Sequence, residues 1–372
     1  MHILVGIVHV VAFFLGVFIA GTTVVSAIKT FVLPRAANVR ISRFVFVLVR
    51  VILDRIAPPS RAYAQRDRVF AMQAPFSLIG LPVAWLLLIV VAFMLMYVGL
   101  GESPREAFIT SGSSLLTLGF DRPPRFASIS LTFLEAAIGL GLVALLISYL
   151  PTIYAAFSRR ETPVAMLEAL AGTPPSALSL LSRHHRIGGL ERLDDLWITW
   201  RQWFADIEES HTSIAALIFF RSPDPDRSWI TAAGCILDSA SVYASCFDVP
   251  KSADCQLCIR GGYLALQRIA DFFSYPYNRN PKPDDPISID RSEFDDLWKD
   301  LEEAGLPLRS DRDQAWRDFA GWRVNYDPVL LFLAGITAAP IAPWSSDRGW
   351  RYKPPPLLVT LGLRKPPRRP AT

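Results

Sequence analysis

The chain has 372 residues, 51% of them hydrophobic, with a formal net charge of +4 and a positive mean hydropathy of +0.30. So small a charge over this length gives no footprint for a nucleic-acid partner. The four cysteines all lie in the second half and read as reduced intracellular thiols rather than a disulfide framework.

The hydrophobicity is uneven. Residues 1–158 hold long uncharged runs, while 159–372 are rich in charge, Trp and Pro, which predicts a membrane domain followed by a soluble one. Residues 3–28 are free of charge and end at Lys29. About 20 residues at about 1.5 Å each span the hydrocarbon core, so this run is long enough to cross. A signal peptide is the competing reading. No basic residue precedes the run, however, and it exceeds a signal core of about 7–15 residues, which favours a retained anchor over residues 1–33.

The next stretch, 34–74, is a basic loop. Across it and its margins Lys29, Arg35, Arg40, Arg43, Arg50, Arg55, Arg61, Arg66 and Arg68 face only Asp54 and Asp67. The positive-inside rule predicts a cytoplasmic position. Within it, residues 43–55 are apolar but interrupted by charge and too short to span. They read as a helix at the membrane interface whose Arg side chains reach to the headgroups. A buried cytoplasmic helix fits the same pattern.

Residues 75–100 form a second predicted span, with Pro82 placed to kink it. Ser103 as N-cap, Pro104 at the first helical position and Glu106 in the first turn then predict a short helix over about 104–116. The stretch from Ser111 to Asp121 is too short and too polar to cross. Non-helical backbone survives at membrane depth only when buried in protein or lining a water-filled path. Span, short helix, loop and second span have the layout of a pore loop.

The tract Thr117-Leu118-Gly119-Phe120-Asp121 resembles the Thr-Val-Gly-Tyr-Gly-Asp filter of tetrameric potassium channels. In that family the backbone carbonyls of the filter replace the hydration shell of the ion. The resemblance covers residues 75–158. It implies a filter of Thr117, Leu118, Gly119, Phe120 and Asp121, potassium as the transported ion with no other cofactor, and four copies of the chain around one axis. Leu118 stands where the family has a smaller β-branched residue, and the second filter glycine has no counterpart. Glycine takes positive φ without strain, so fewer well-formed oxygen rings and a weak preference for potassium over sodium are expected. Phe120 is expected to wedge the loop against its surroundings.

Residues 126–158 form the third predicted span, uncharged except for Glu135 and followed at once by Arg159 and Arg160. The topology is then that of a multi-pass plasma-membrane protein with its N-terminus outside and its C-terminal domain cytoplasmic. By resemblance, Gly139 and Gly141 fall where the inner helix of such channels bends, and Pro151 falls near where inner helices cross. They are the expected gating hinge, although small residues also serve helix packing. Glu135 is costly in a membrane and is expected to face protein or water near the short helix. Ser113 and Ser114, with Thr110 and Ser111, are its candidate partners and the expected support of the pore; a packing carboxylate is the alternative.

From 161 to 336 the pattern is helical. Leu190, Leu193, Trp197, Trp200, Phe204 and Ile207 recur at three- and four-residue steps. Further helices are expected to about residue 245, over 253–274, over 292–304 and over 311–336, with 213–220 ambiguous and a linker at 280–286. The tail, 337–372, is Pro-rich and ends in the basic run 364–369, which reads as a solvated segment or a contact with anionic lipid. Cys255-x-x-Cys258 has no second pair at a useful spacing, so these read as buried helix thiols with no metal site. His211 beside Asp206, Glu208 and Glu209 reads as a charged helix face. No glycine fingerprint for nucleotides and no nucleophile–base set is present, and no enzyme is expected.

The expected fold is an all-α membrane protein: an N-terminal anchor helix, an outer helix–pore loop–inner helix module over 75–160, and a cytoplasmic helical domain. The expected function is a potassium-channel-like monovalent cation channel subunit, a homotetramer in contact with membrane lipids. Its filter is degenerate, and its regulatory domain binds a ligand the sequence does not name. The alternative is a membrane-anchored signalling or scaffold protein with a non-conducting pore-like loop. A transporter subunit is a third reading, but such transporters carry four repeats in one chain.

Overall fold

The computed structural model describes residues 2–31, 40–58, 63–273 and 275–348. It is helical throughout. No strand occurs among the described residues, and an isolated antiparallel bridge joins Phe247 and Leu308. Three stretches, Val5–Thr30, Gln65–Gly99 and Phe126–Ala171, are helical, long enough and apolar enough to cross a membrane. The chain forms two compact units. One holds the described residues of 1–55 and 72–154, the other those of 56–71 and 155–348.

In the first unit α1 (His2–Phe31) packs antiparallel to α4 (Gln73–Gly99). The Trp85 indole donates to the Ser26 hydroxyl at 3.2 Å, Gly16 lies against Ala92 and Met96, and Gly99 lies against His9 and Phe13. Lipid supplies no hydrophobic drive between helices, so such pairs depend on close backbone approach at small residues. A Cβ on Gly16 would sit 2.4 Å from the Ala92 carbonyl oxygen, and one on Gly99 2.7 Å from the Phe13 Cβ. The outward faces carry Phe14 and Phe18 on α1 and Ile79 and Leu87 on α4, all exposed, as an apolar solvent would allow. Helix α2 (Arg40–Ile56) covers the apolar stretch 43–55 of the basic loop. Its Ile41, Val45 and Val49 pack on the α1–α4 core. Arg35 and Arg61 of the basic loop lie outside the described residues.

Helix α5 (Pro104–Leu115) begins as its sequence predicts. The Ser103 hydroxyl accepts from the Glu106 N–H, and the Glu106 carboxylate accepts from the Ser103 N–H. Helix α6 (Phe126–Ala171) runs unbroken past the expected end of the third span, and the chain passes from the first unit to the second within it.

The second unit begins before α4 does. Helix α3 (Tyr63–Phe70), within the stretch expected as a basic loop, belongs to it. Its Asp67 pairs with Arg221, the Tyr63 hydroxyl donates to the Pro225 carbonyl at 3.2 Å, and the Arg221 guanidinium lies 5.7 Å from the centre of the Phe70 ring. The remaining helices are α7 (Ala177–Arg186), α8 (Leu193–Ser213), α9 (Trp229–Cys246), α10 (Ala253–Phe272), α11 (Arg291–Glu303), α12 (Arg312–Arg323) and α13 (Asp327–Thr337). Helix α9 is the axis. Apart from Ala244 every residue in it is buried, because it is apolar or small around its circumference except at Asp238 and Tyr243, whose polar atoms are met inside the unit or reach its edge. Of the stripe predicted from periodicity, Leu193, Trp197, Trp200, Phe204 and Ile207 lie on α8 and are buried in the same core, where α10 is the main neighbour of α8. Leu190 is half-buried in the 3-10 turn before it.

Several expectations change. The helix expected over 311–336 is two helices, α12 and α13, because Pro328 starts a new first turn. Residues 213–220 contain a 3-10 turn, Ala215–Phe219. Residues 338–348, expected as the start of the tail, pack into the unit: Ala342 and Ser345 are buried and Arg348 pairs with Glu293. The basic run 364–369 lies outside the described residues. His211 is not on the charged face of α8. Asp206 and Glu208 pair with Arg159 and Arg268, while His211 is wholly buried with its Nε2 3.2 Å from the Arg160 guanidinium. All four cysteines are free and buried, and burial pushes the Cys258 thiol up to about 12.

The core of this unit contains one closed ionic group. Arg323, fully buried, meets Asp238 at 2.5 Å and Asp327 at 2.8 Å and donates to the Trp344 carbonyl. Tyr326 donates to Asp238, and Ser288 donates to Asp327. Burial works against the Arg323 charge, but the two carboxylates outweigh it and hold the guanidinium above its ordinary value. Breaking a buried pair costs about 3–5 kcal/mol, because a charge is left without its partner. Arg323→Met is therefore expected to lower the stability of this unit by about that amount, read as the helical melt of the full-length protein in detergent.

His211 gives a second expectation. Burial and then the neighbouring Arg160 hold it well below 6.5, so the folded chain keeps it neutral. The unfolded chain takes the proton more readily. The stability contribution is therefore full above about pH 6.5 and declines as pH falls below that value. His211→Gln is expected to flatten part of the loss of thermal stability between roughly pH 6.5 and 5.

Candidate functional site: the loop after α5

Glu135 on α6 is fully buried. Ser111 of α5 donates to one of its carboxylate oxygens at 2.5 Å, and Tyr97 of α4 donates to the other at 3.0 Å. One carboxylate thus joins the three helices that surround the loop. Of the four candidate partners, only Ser111 bonds to it. The Thr110 hydroxyl donates to Asp121 at 2.5 Å, the Ser114 hydroxyl to the Thr110 carbonyl at 2.8 Å, and Ser113 turns to the loop. Tyr97 was missed. Its place near the end of an apolar span matches the aromatic belt common at membrane boundaries, and that pattern concealed it.

The loop is held through its N–H groups. Thr117 N–H donates to the Ser114 carbonyl at 3.0 Å. Leu118 and Gly119 N–H donate to the Ser113 carbonyl at 2.9 and 3.3 Å, and Asp121 N–H to the Ser113 hydroxyl at 3.1 Å. These bonds satisfy the carbonyls that the end of α5 would otherwise leave orphaned. They also orient the loop oxygens. A trans peptide is planar, with N–H and C=O opposed, so each N–H turned toward α5 turns the preceding carbonyl away from it. The carbonyls of Leu116, Thr117, Leu118 and Phe120 are therefore directed away from α5. That of Leu116 accepts from the Thr117 hydroxyl. Those of Thr117, Leu118 and Phe120 accept no hydrogen bond from the described residues.

Thr117 and Gly119 both take positive φ, +55° and +69°. For a β-branched residue that is a rare conformation, and it persists only where the surroundings impose it. Here the imposing bonds are the two to Ser113 and Ser114 on either side. Gly119 has nothing within 4 Å of a built Cβ, so its requirement for glycine is conformational rather than steric.

The apolar side chains of the loop face outward. Leu118 is 60% and Phe120 68% exposed, so Phe120 does not wedge the loop within its own chain. The loop is closed at its far end by Arg125, which donates to the Leu100 carbonyl at the end of α4. Behind it Gly139 allows α6 to touch the end of α5: a Cβ there would lie 2.4 Å from the Leu115 carbonyl oxygen. Gly141 has open space and Pro151 is exposed, and α6 passes through all three without interruption.

Among the described residues no cluster of His, Cys, Asp or Glu could hold a metal ion. What the loop offers is unclaimed backbone oxygen, the ligand that hard monovalent cations take in place of water. Compared with family models, with characterised proteins and with solved structures, the chain finds no match.

The Glu135 junction makes a measurable prediction. Tyr97→Phe leaves one buried carboxylate oxygen unpaired and is expected to cost about 1–3 kcal/mol in thermal unfolding. Combined with Glu135→Gln, the losses should fall short of additive by at least about 0.5 kcal/mol, since both act on one hydrogen bond. Additive losses would mean that the two groups do not interact.

Proposed function

We propose that the chain is one subunit of a potassium-channel-like, monovalent cation-conducting homotetramer, with Thr117 to Asp121 as its filter. The observation that carries this reading is the direction of the loop carbonyls. The N–H groups of Thr117, Leu118, Gly119 and Asp121 are bonded inward to Ser113 and Ser114, and the carbonyls of Thr117, Leu118 and Phe120 are left outward and unbonded by the described residues. One such loop cannot encircle an ion, and closed cyclic symmetry is the usual arrangement for identical chains. Four loops would stack their oxygens around an axis, with Glu135, Ser113 and Ser114 fixing each loop from behind. With a single filter glycine, potassium is favoured over sodium only weakly. Gly141 and Pro151 of α6 remain the hinge positions of the reading; Gly139 serves close approach as well.

A cytoplasmic placement of the C-terminal domain has one further support. Three crossings would put the segment between the first two spans and the chain after the third on the same side. Helix α3, from the first of these, packs with Arg221 and Pro225 from the second.

Two measurements test the proposal. In bilayer recordings under bi-ionic potassium and sodium, the wild type should pass both cations. Gly119→Ala should abolish conduction while leaving the tetramer intact in native mass spectrometry. The added Cβ meets no atom, so its effect runs through a backbone conformation that costs an L-residue about 1–2 kcal/mol. Anion permeation, an unaffected variant or a monomeric wild type would overturn the filter. A silent but tetrameric wild type would favour the scaffold alternative. For sidedness, a cysteine at Arg105, exposed in the first turn of α5, should react with an impermeant thiol reagent on intact cells. One at Arg159 should not.

A further inference from the structure

Helix α2 carries two adjacent apolar stripes. Ile41, Val45, Val49 and Leu53 recur every fourth residue and turn inward; Val45 lies against Gly80 of α4, and Val45 and Leu53 are buried. Phe44, Leu48 and Ile52 recur at the same step on the neighbouring strip, each more than 40% exposed. The helix is fastened at both ends to the spans. Ser42 and Thr30 share a hydrogen bond of 3.1 Å, and Arg50 donates to Asp54 and to Gln73 at the start of α4. The open stripe is thus a fixed part of the first unit, whose α4 also carries the exposed apolar side chains Phe76 and Ile79.

The charge of the segment identifies what covers this stripe. Between Lys29 and Arg68 there are two acids, Asp54 and Asp67, and both are already paired, to Arg50 and to Arg221. By sequence α2 carries four arginines against one acid, Asp54, and among its described side chains Arg55 is exposed, so a net positive charge accompanies the open apolar stripe. That combination matches an anionic lipid leaflet, with acyl chains for the stripe and headgroups for the guanidinium groups. A second copy of the same segment would bring positive against positive. We propose that Phe44, Leu48 and Ile52 of α2 sit in the acyl-chain boundary of an anionic phospholipid leaflet, whose headgroups balance the net positive charge of this helix. The inference needs the long helices to cross a bilayer but is independent of whether the loop conducts.

The test uses the full-length protein in nanodiscs of phosphatidylcholine, with or without phosphatidylglycerol. All four native thiols are buried, so nitroxide labels can be placed singly at Leu48→Cys and Ile52→Cys, with Phe133→Cys on the exposed face of α6 as the membrane reference. Collisions with oxygen, which partitions into lipid, should exceed those with a water-soluble nickel chelate at all three positions. Adding phosphatidylglycerol should lower nickel access at Leu48 and Ile52, and the combined Arg40→Gln, Arg43→Gln, Arg55→Gln variant should lose that response. Nickel-dominated collisions at Leu48 and Ile52, with Phe133 still oxygen-dominated, would place the stripe in water and overturn the proposal. So would suppression of both collision types, which would mean a protein cover such as a second copy, or a wild type indifferent to lipid charge. A nickel-accessible Phe133 would instead overturn the membrane reading on which the proposal rests.

Discussion

A carboxylate inside an apolar helix layer has to be satisfied, and Glu135 is the residue on which the first unit turns. Neither lipid nor a hydrocarbon side chain can bond to it, so its place is workable only where other helices bring donors. Ser111 and Tyr97 are those donors, one from α5 and one from α4. The requirement acts in both directions. The carboxylate needs the two hydroxyls, and the two hydroxyls, buried among apolar neighbours, need an acceptor. Three helices that make few other polar contacts are in this way fixed relative to one another. Gly139, one helical turn from Glu135, allows α6 to come close enough for the junction to form.

The second polar device shares α5 with the first. The end of α5 presents carbonyls, and the following loop presents N–H groups; pairing them within a few residues satisfies both without further protein. Ser113 contributes twice, through its carbonyl and its hydroxyl. The same bonds set Thr117 and Gly119 at positive φ, so the unusual backbone follows from the geometry of attachment. Oxygen atoms that would be a liability in an isolated loop then become the chemically distinctive surface of the unit.

The helices were largely legible because their causes are local. The cap at Ser103, Pro104 and Glu106, the apolar runs and the α8 stripe each announce themselves within a few residues. The parts that were not legible depend on distant residues. Helix α3 is short and charged, and its reason for existing is a partner that comes far later in the chain. Residues 338–348 look like a polar tail until Arg323 and Glu293 receive them. His211 sits in sequence among acids yet turns to the opposite face of α8, a matter of helix phase that a cluster of charge obscures. At the candidate site, the loop itself was recognisable, as was Glu135 as an anomaly. Which serine it chose, and that Tyr97 would join, was decided by packing between helices.

The attachment of α3 to Arg221 also governs how the protein can be made. Asp67 precedes its partner by 154 residues, and α4, α5 and α6 are synthesised between them. During translation α3 leaves the ribosome well before Arg221 and Pro225, the residues it packs with, have been made. The second unit is thus discontinuous in the chain: its first piece is made early and its remainder late. Completing it is a long-range closure, the slow kind of folding step. A fragment beginning after the third span would lack the piece that Arg221 was built to hold. The second unit of such a chain is completed only once the residues after α6 have been made, so its assembly has an order written into it.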